Sequence, residues 1–314
     1  MEPTHFSASE LISPQAHSVD FAWLELTNRC NLQCGHCYTS SSPTSSERDI
    51  LTHAQYVDVI HQLYLLGCRK IQFIGGEPTL NKGIPRLIDT AKDCGYDFVE
   101  VFTNLVSLPE SLLKKFKERN IAVATSFYSW DRRVHDRITR QIGSFEKTVR
   151  NIKRVLDAGL TLRAGVILME ENADQLVETW QYLERLGVER IGKDNIRKFG
   201  RAQDTDSICS MGELCGSCSG NILSIGPDGV VAPCNMSRQW SVGSVLERPL
   251  AEIVQSEELA VVRQRIGDAV RDRSPGVEAI CDPKTCSPYS ACCPSTQSCS
   301  PCSPNGCTPC YPKG

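Results

Sequence analysis

The sequence predicts an α/β fold in which about six strand–helix units form an incomplete parallel barrel, followed by a small cysteine-rich region. Short apolar segments of strand character alternate with amphipathic segments of helical period before residue 200. About six such units fit in that length, fewer than a closed eight-stranded barrel contains. Twelve of the 17 cysteines lie from Cys209 onward, so the composition changes where the second region begins.

The repeating units follow one another along the first 200 residues. The first strand is predicted over residues 21–27, and a helix begins at Thr52 and ends near Gly67. Because strands joined by helices form right-handed parallel units, we expect reactive groups at the carboxyl ends of the strands. Further strands are predicted over 70–74, 98–103, 121–127, 160–168 and 189–193, and further helices over 82–94, 109–118, 144–158 and 173–186.

A smaller second domain is expected from about residue 205. Residues 221–225 and 230–232 flank Gly-Pro-Asp-Gly at 226–229, which indicates a hairpin, and a helix is predicted over 249–272. The tail from Cys281 to Gly314 is rich in Cys, Pro and Ser, so only bound metal would order it. We therefore expect an irregular segment over 1–19, a core domain over 20–204 and a cysteine-rich domain over 205–314.

The composition limits the classes of partner. A chain of 314 residues with 40% hydrophobic residues is long enough to bury a full core. Its formal net charge of -3 offers no basic field for nucleic acid or an anionic membrane surface. No segment approaches the roughly 20 apolar residues of a membrane span, and residues 1–5 do not begin a signal peptide. We expect a cytoplasmic globular protein with no nucleic-acid or membrane partner.

Three cysteines directly after the first strand form the most specific motif. Cys30, Cys34 and Cys37 have C-x3-C-x2-C spacing, which lets three thiolates reach one iron–sulfur cluster and leaves a fourth iron without a protein ligand. An open iron can bind and activate a substrate. The alternative is a zinc loop or a redox pair, although zinc sites normally take four ligands from paired motifs.

This motif resembles that of the radical S-adenosylmethionine (SAM) superfamily. The resemblance implies a partial six-stranded barrel and a catalytic 4Fe-4S cluster on Cys30, Cys34 and Cys37. It also implies that the open iron chelates SAM, which is cleaved to a 5'-deoxyadenosyl radical. Gly75-Gly76-Glu77, after the second strand, is similar to the family's SAM-ammonium motif, in which a carboxylate faces the ammonium. The alternative for these residues is an ordinary turn.

Weaker matches fall at the ends of later strands. In the family such positions line the ribose and adenine of SAM, and the alternative for the hydroxyls is a structural hydrogen bond. Leu105 stands where relatives commonly carry Gly. Arg163 and Asp194 are further candidates, with Arg197, to hold a carboxylate, or they form salt bridges. The implied cofactor-binding residues are Gly75, Gly76, Glu77, Thr103, Asn104, Ser126, Val166 and Arg197.

The second domain resembles the SPASM or twitch extension of the same superfamily. Cys218, Gly229 and Cys234 carry this resemblance around the predicted hairpin. It implies one or two auxiliary 4Fe-4S clusters, or one cluster and a structural zinc. The implied metal ligands in this domain are Cys215, Cys218, Cys234, Cys281, Cys299, Cys302, Cys307 and Cys310.

The resemblance implies an enzyme of natural-product biosynthesis that abstracts hydrogen from its substrate. A ribosomally synthesised precursor peptide is the first hypothesis, with crosslinking, oxidation or epimerisation as the reaction. A small sugar, cyclitol or nucleoside is the second hypothesis. The segment before the first strand is short and leaves no room for a leader-binding domain, which weakens the peptide hypothesis. A non-catalytic iron–sulfur electron carrier is the alternative from another class. The enzyme would need an electron donor such as flavodoxin or ferredoxin.

Overall fold

A computed structural model describes residues 18–203 and 210–272 of the chain. The strands are β1 (Phe21–Glu25), β2 (Lys70–Ile74), β3 (Phe98–Phe102), β4 (Ala122–Phe127), β5 (Leu162–Leu168), β6 (Arg190–Asn195), β7 (Ile222–Ile225), β8 (Val230–Ala232) and β9 (Gly243–Ser244). The α-helices are α1 (His53–Leu65), α2 (Ile84–Cys94), α3 (Glu110–Glu118), α4 (Arg132–Thr139), α5 (Ser144–Asp157), α6 (Leu176–Arg185), α7 (Leu250–Val254) and α8 (Glu257–Arg271).

The strands form one sheet in the order β6-β5-β4-β3-β2-β1-β7-β8-β9. From β1 to β6, sequential strands are parallel neighbours, and a helix connects each pair. The two end strands of this order do not pair with each other, so the sheet is an open, partial barrel. The predicted α/β class and the six parallel strands are therefore confirmed; α-helices follow the first five of these strands, whereas β6 is followed by short 3-10 turns within the described residues. The carboxyl ends of the parallel strands lie at one edge, where a site is expected.

Local sequence signals account for the helix starts. The Thr52 hydroxyl accepts a hydrogen bond from Gln55 N (3.3 Å), and the Gln55 side chain accepts one from Thr52 N (2.9 Å), so a capping box begins α1. Apolar residues at helical spacing in α1, including Ile60 and Leu63, are buried against the sheet. The prediction that a helix begins at Thr52 is confirmed.

Two helix predictions need correction. No helix was expected between β4 and β5 before residue 144, yet α4 forms there, and the Asp131 side chain caps it by accepting from Arg133 N (2.7 Å). The single helix predicted over 249–272 is divided into α7 and α8. Ser256 interrupts it, because its hydroxyl accepts a hydrogen bond from Leu259 N (3.2 Å) and caps α8.

The region after residue 210 extends the barrel sheet. Strands β7 and β8 form the predicted antiparallel hairpin, and β7 pairs in parallel with β1. Glu25 of β1 is fully buried and accepts hydrogen bonds from Ser224 Oγ (3.1 Å) and Arg238 Nε (3.0 Å). The predicted domain boundary at 204/205 falls at residues outside the described ranges and stays a prediction.

No helix within residues 18–203 and 210–272 combines the length and apolar character that crossing a bilayer requires.

Candidate active site

A cavity opens at the carboxyl ends of the parallel strands, and Cys30, Cys34 and Cys37 all line it. The thiols of these cysteines are free, and Cys30 is buried. Burial raises the pKa of Cys30 and of Cys34 to about 12, because a buried thiolate is poorly solvated. An iron bound to these sulfurs would stabilise the thiolate form through its positive charge and displace the protons.

Hydrogen bonds inside the cysteine loop fix the directions of the sulfur atoms. The amide of Leu32 donates to Cys30 Sγ (3.4 Å), and the side chain of Asn104 donates to the same sulfur (3.7 Å). Thr39 Oγ1 lies 3.3 Å from Cys37 Sγ. Hydrogen-bond donors to ligand sulfurs tune the reduction potential of an iron–sulfur centre. The loop therefore provides such hydrogen bonds in addition to the three cysteine ligands.

Gly75 and Gly76 also line the cavity, and they pack against the segment that leads from β1 into the cysteine loop. Gly75 has φ of 137°, and a Cβ there would lie 2.7 Å from Thr27 O. A Cβ on Gly76 would overlap the carbonyl of Arg29. Only glycines therefore allow this approach.

Glu77 does not line the cavity. Its carboxylate is 1% exposed and accepts hydrogen bonds from Thr79 N (3.1 Å), Thr79 Oγ1 (2.6 Å), Thr103 Oγ1 (2.7 Å) and Asn104 N (2.8 Å). Burial raises the pKa of Glu77, against the opposing effect of these donors. The Glu77 carboxylate therefore holds the turn after β3 from outside the cavity lining, and its role toward the SAM ammonium stays a prediction.

The turn after β3 brings Asn104, but not Thr103, to the cavity. Besides Cys30 Sγ, the Asn104 side chain donates to Asn31 Oδ1 (2.7 Å). Leu105 is fully buried and has φ of 55°, a left-handed conformation that explains why Gly would suit this position. Leu105 therefore holds this turn at the expense of backbone strain.

Successive side chains of a strand point to opposite faces of the sheet, and this separates the remaining residues that were predicted to contact SAM. Ser126 of β4 lines the cavity, and so do Gly165 and Ile167 of β5. Val166, between the last two, points to the opposite face and packs in the main hydrophobic core. Val166 is therefore placed away from the cavity.

Charged side chains from β5, β6 and the segment after β6 also line the cavity. Arg163 donates to Glu100 through Nε (2.9 Å) and Nη2 (2.7 Å), and it is 5% exposed. Arg197 donates to both oxygens of Asp194 (3.1 Å each), whose pKa is raised by burial despite this pairing. Both arginines line the cavity and are held in ion pairs, so the salt-bridge alternative is observed, and a contact with a ligand carboxylate stays a prediction.

Three cysteines of the second region also come together. Cys218 Sγ contacts Cys234 Sγ at 2.7 Å. Hydrogen bonds with Cys215 and with Cys234, together with burial, raise the pKa of Cys218 well above its ordinary value. The predicted ligands Cys281, Cys299, Cys302, Cys307 and Cys310 lie outside the described residues.

Sequence reasoning missed the residues that connect the two cysteine groups. Asn235 follows Cys234, lines the cavity and donates to Tyr38 Oη (3.1 Å), and Tyr38 follows Cys37. Arg201 donates to Cys34 O (2.8 Å) and Ser41 O (2.7 Å), which holds the outer part of the loop. Adjacency to a cysteine motif was the signal available for Tyr38 and Asn235.

The donor set suits an iron–sulfur cluster better than one metal ion. Within the described ranges, no three His, Cys, Asp or Glu side chains are arranged as ligands of a single metal ion. A cluster takes each thiolate on a different iron, so its ligands need not meet at one point. Three free thiols on one cavity wall fit that requirement.

Comparison with known protein families gives the class. Residues 24–183 match the radical SAM superfamily, and residues 215–287 match the SPASM iron–sulfur cluster-binding domain. The chain belongs to the radical SAM superfamily, a class of enzymes, and carries a SPASM domain after the radical SAM domain.

Individual relatives share about 30% sequence identity or less with this chain, over part of its length. The antilisterial bacteriocin subtilosin biosynthesis protein AlbA of Bacillus subtilis is 30% identical over 187 residues, which cover 58% of this chain and 41% of AlbA. A probable GTP 3',8-cyclase of Methanocaldococcus jannaschii is 27% identical over 166 residues, 52% of this chain and 55% of the cyclase. The chain thus spans about half the length of these relatives.

Solved structures agree with the fold. The crystal structure of Streptococcus suis SuiB bound to S-adenosylmethionine superposes with a TM-score of 0.65 and 13% identity, covering 79% of this chain and 68% of SuiB. At this identity the likeness concerns the fold.

Proposed function

We propose that this chain reductively cleaves SAM and abstracts hydrogen from a ribosomally synthesised precursor peptide. The observation that carries the proposal is the shared cavity: three free cysteines with cluster-binding spacing line it together with two glycines, Asn104 and Ser126. When a 4Fe-4S cluster and SAM are bound there, the chemistry supplied is cleavage of SAM to methionine and a 5'-deoxyadenosyl radical.

The residues of the cavity have distinct roles in this proposal. Cys30, Cys34 and Cys37 hold the cluster, and Asn104 orients the Cys30 sulfur through its amide. The close approach of Gly75 and Gly76 leaves backbone carbonyls free of side-chain cover for the SAM ammonium. Ser126 supplies a hydroxyl at the end of β4 for the nucleoside.

Two anchored arginines suit carboxylate groups in the cavity. Arg163 and Arg197 are each fixed by an ion pair, so their guanidinium groups need little reorganisation to meet the methionine carboxylate of SAM or a substrate carboxylate. The apolar residues Phe102, Ile167 and Met236 limit access of water, which would otherwise quench a carbon radical.

Cys215, Cys218 and Cys234 are proposed ligands of an auxiliary cluster. Their thiols lie together, and the contact between Tyr38 and Asn235 places them next to the cavity wall. Further ligands and a second auxiliary centre are expected among the cysteines from residue 281 onward.

The peptide as substrate is supported by the relatives. AlbA is named for biosynthesis of a bacteriocin, and SuiB has been solved bound to its precursor peptide SuiA. Ile196 lines the cavity and is 39% exposed, and we propose that a side chain of a longer substrate enters beside it.

Cleavage of SAM is tested with protein reconstituted without oxygen and reduced with dithionite. We expect 5'-deoxyadenosine and methionine from the wild type and none from C30A/C34A/C37A. Iron should fall by about four atoms per chain in that variant, and the iron that remains should depend on Cys218 and Cys234. Formation of 5'-deoxyadenosine by the triple variant would refute the assignment. A wild type that cycles electrons without cleaving SAM would be an electron carrier.

The substrate is tested with synthetic peptides encoded by short reading frames beside the gene. We expect a SAM-dependent change in peptide mass, with transfer of deuterium from a labelled peptide to 5'-deoxyadenosine. Unchanged peptides together with modification of a nucleoside or sugar would replace the peptide by the small-molecule hypothesis.

A further inference from the structure

A basic surface lies directly behind the cysteine loop. Residues 132–140 contain four arginines and one acidic residue, Asp136, in a chain with net charge -3. Arg132 pairs with Glu146 (2.8 Å). Asp136 lines the same groove as these arginines, but its side chain is only 12% exposed, and its carboxylate accepts hydrogen bonds from Gly143 N (2.7 Å) and Phe145 N (2.8 Å).

The other three arginines, Arg133, Arg137 and Arg140, are exposed. None of them has an ion pair to any residue in the described ranges. We call Arg133, Arg137 and Arg140, together with Ile142, the arginine surface. Ile142 is 95% exposed and lines the same shallow groove as the three arginines. An exposed apolar residue among cations is typical of a contact surface for an acidic protein.

The arginine surface is attached to the cysteine loop itself. Gly35 N donates to Ile138 O (3.1 Å), and Gln33 N donates to Thr139 O (3.4 Å), so the end of α4 supports the loop from outside. A Cβ on Gly35 would lie 3.4 Å from Arg140 Nη2. Cys34 and His36, on either side of Gly35, line the cavity instead.

The cysteine loop and the buried side of α4, where Val134 and Ile138 pack with the cavity-lining Tyr128, separate the arginine surface from the cavity, and the two share no lining residue. A substrate has to enter the cavity, whereas an electron donor only has to come close to the cluster. The rate of electron transfer falls steeply with distance, so a donor docked behind the loop is well placed. This geometry favours a donor over a peptide at the surface.

We propose that the arginine surface docks a small acidic flavin or iron–sulfur electron-transfer protein, which reduces the cluster through the loop from Cys34 to Cys37. One electron passes from the reduced donor to the oxidised cluster; the donor is oxidised by one electron, and no group is transferred. The inference rests on the proposed function, because it needs a cluster at Cys30, Cys34 and Cys37.

The test compares R133E/R137E with K114E/K117E, which reverses two exposed lysines of α3 that line neither cavity. Reduced flavodoxin and dithionite are used in turn as reductants of the reconstituted protein, and binding of oxidised flavodoxin is measured separately by calorimetry. We expect R133E/R137E to lose at least about tenfold in flavodoxin affinity and flavodoxin-driven SAM cleavage, since steering by charge has effects of this size. The wild-type rate should fall with added salt. Dithionite-driven cleavage and K114E/K117E should match the wild type.

Several results would overturn the inference. One is unchanged flavodoxin binding by R133E/R137E, and another is an equal loss in K114E/K117E. A third is a loss of dithionite-driven cleavage in both R133E/R137E and the neutral R133Q/R137Q, which would make these residues structural. A selective loss of affinity for an acidic peptide, with donor binding intact, would assign the surface to substrate. If the wild type fails to cleave SAM with dithionite, the proposed function fails instead.

Discussion

Asn235 Nδ2 donates a hydrogen bond of 3.1 Å to Tyr38 Oη, and this contact joins the two cysteine groups of the chain. Tyr38 directly follows Cys37, and Asn235 directly follows Cys234. Asn235 is 3% exposed, so its amide has little access to water as a substitute partner. The contact therefore fixes the position of the second cysteine group relative to the first.

Removing one partner of this contact should cost more than removing both. Tyr38→Phe leaves a buried amide unsatisfied, with an expected loss of about 1–3 kcal/mol of unfolding free energy. The double variant Y38F/N235A should lose less than the sum of the two single variants, because neither group is then left without its partner. Thermal denaturation of the four proteins measures this, and strictly additive losses would contradict it.

Glu77→Gln should lower the thermal stability of the protein in the absence of SAM. The carboxylate accepts from two backbone amides and two hydroxyls, and the NH2 group of Gln would face at least one of those donors. SAM affinity should fall as a consequence, through displacement of Asn104. An unchanged melting temperature with weaker SAM binding would instead indicate direct contact between Glu77 and the ammonium.

Substitutions of Leu105 should separate the cost of its left-handed backbone from the stabilisation given by its buried side chain. Leu105→Gly relieves a left-handed backbone worth about 1–2 kcal/mol but deletes a fully buried side chain, for which about 2–5 kcal/mol is typical. Leu105→Ala loses the side chain and keeps the strain. We expect stability in the order wild type, L105G, L105A, measured by thermal unfolding, and L105A more stable than L105G would disprove the strain.

Asp136 should make stability depend on pH. Burial pushes its pKa up, but hydrogen bonds from Phe145 N, Gly143 N and Ser144 Oγ prevail and lower it. A lowered pKa means that the stabilisation is present above the unfolded value and is lost as pH falls through the folded value. Asp136→Ala should cost about 0.5–2 kcal/mol at neutral pH, as a lost helix cap does.

That difference from the wild type should shrink as the pH falls below about 4, the ordinary value of Asp in the unfolded chain, and on through the lower pKa of the folded carboxylate. Urea unfolding over a pH series measures it, with exposed Asp157→Ala as the control. A constant difference across the series would rule out the capping carboxylate as the cause.

The sequence predicted the features that short-range patterns determine. The alternation of strands with helices, the Thr52 cap and the cysteine spacing are local patterns. The alternation and the cap are both seen in the structure, and the three spaced cysteines line one cavity. Helix α4 was missed because two of its four buried positions, His135 and Thr139, are polar, which weakens the apolar period. The Asp131 cap was the remaining signal.

The position of Glu77 could not be read from its neighbours. Its partners Thr103 and Asn104 lie 26 and 27 residues away, and only the pairing of β2 with β3 brings them together. Val166 differs from Gly165 and Ile167 by one register step, and the pattern alone did not say which face met the cavity.

The pairing of β1 with β7 has a consequence for how the chain can be divided. All five residues of β1 are buried, and β1 has β2 on one side and β7 on the other. Without β7–β9, β1 would become an unprotected sheet edge of high apolar content, which is a template for aggregation. The barrel of this chain should therefore not be expressible as a stable fragment, and its two regions should melt in a single cooperative transition.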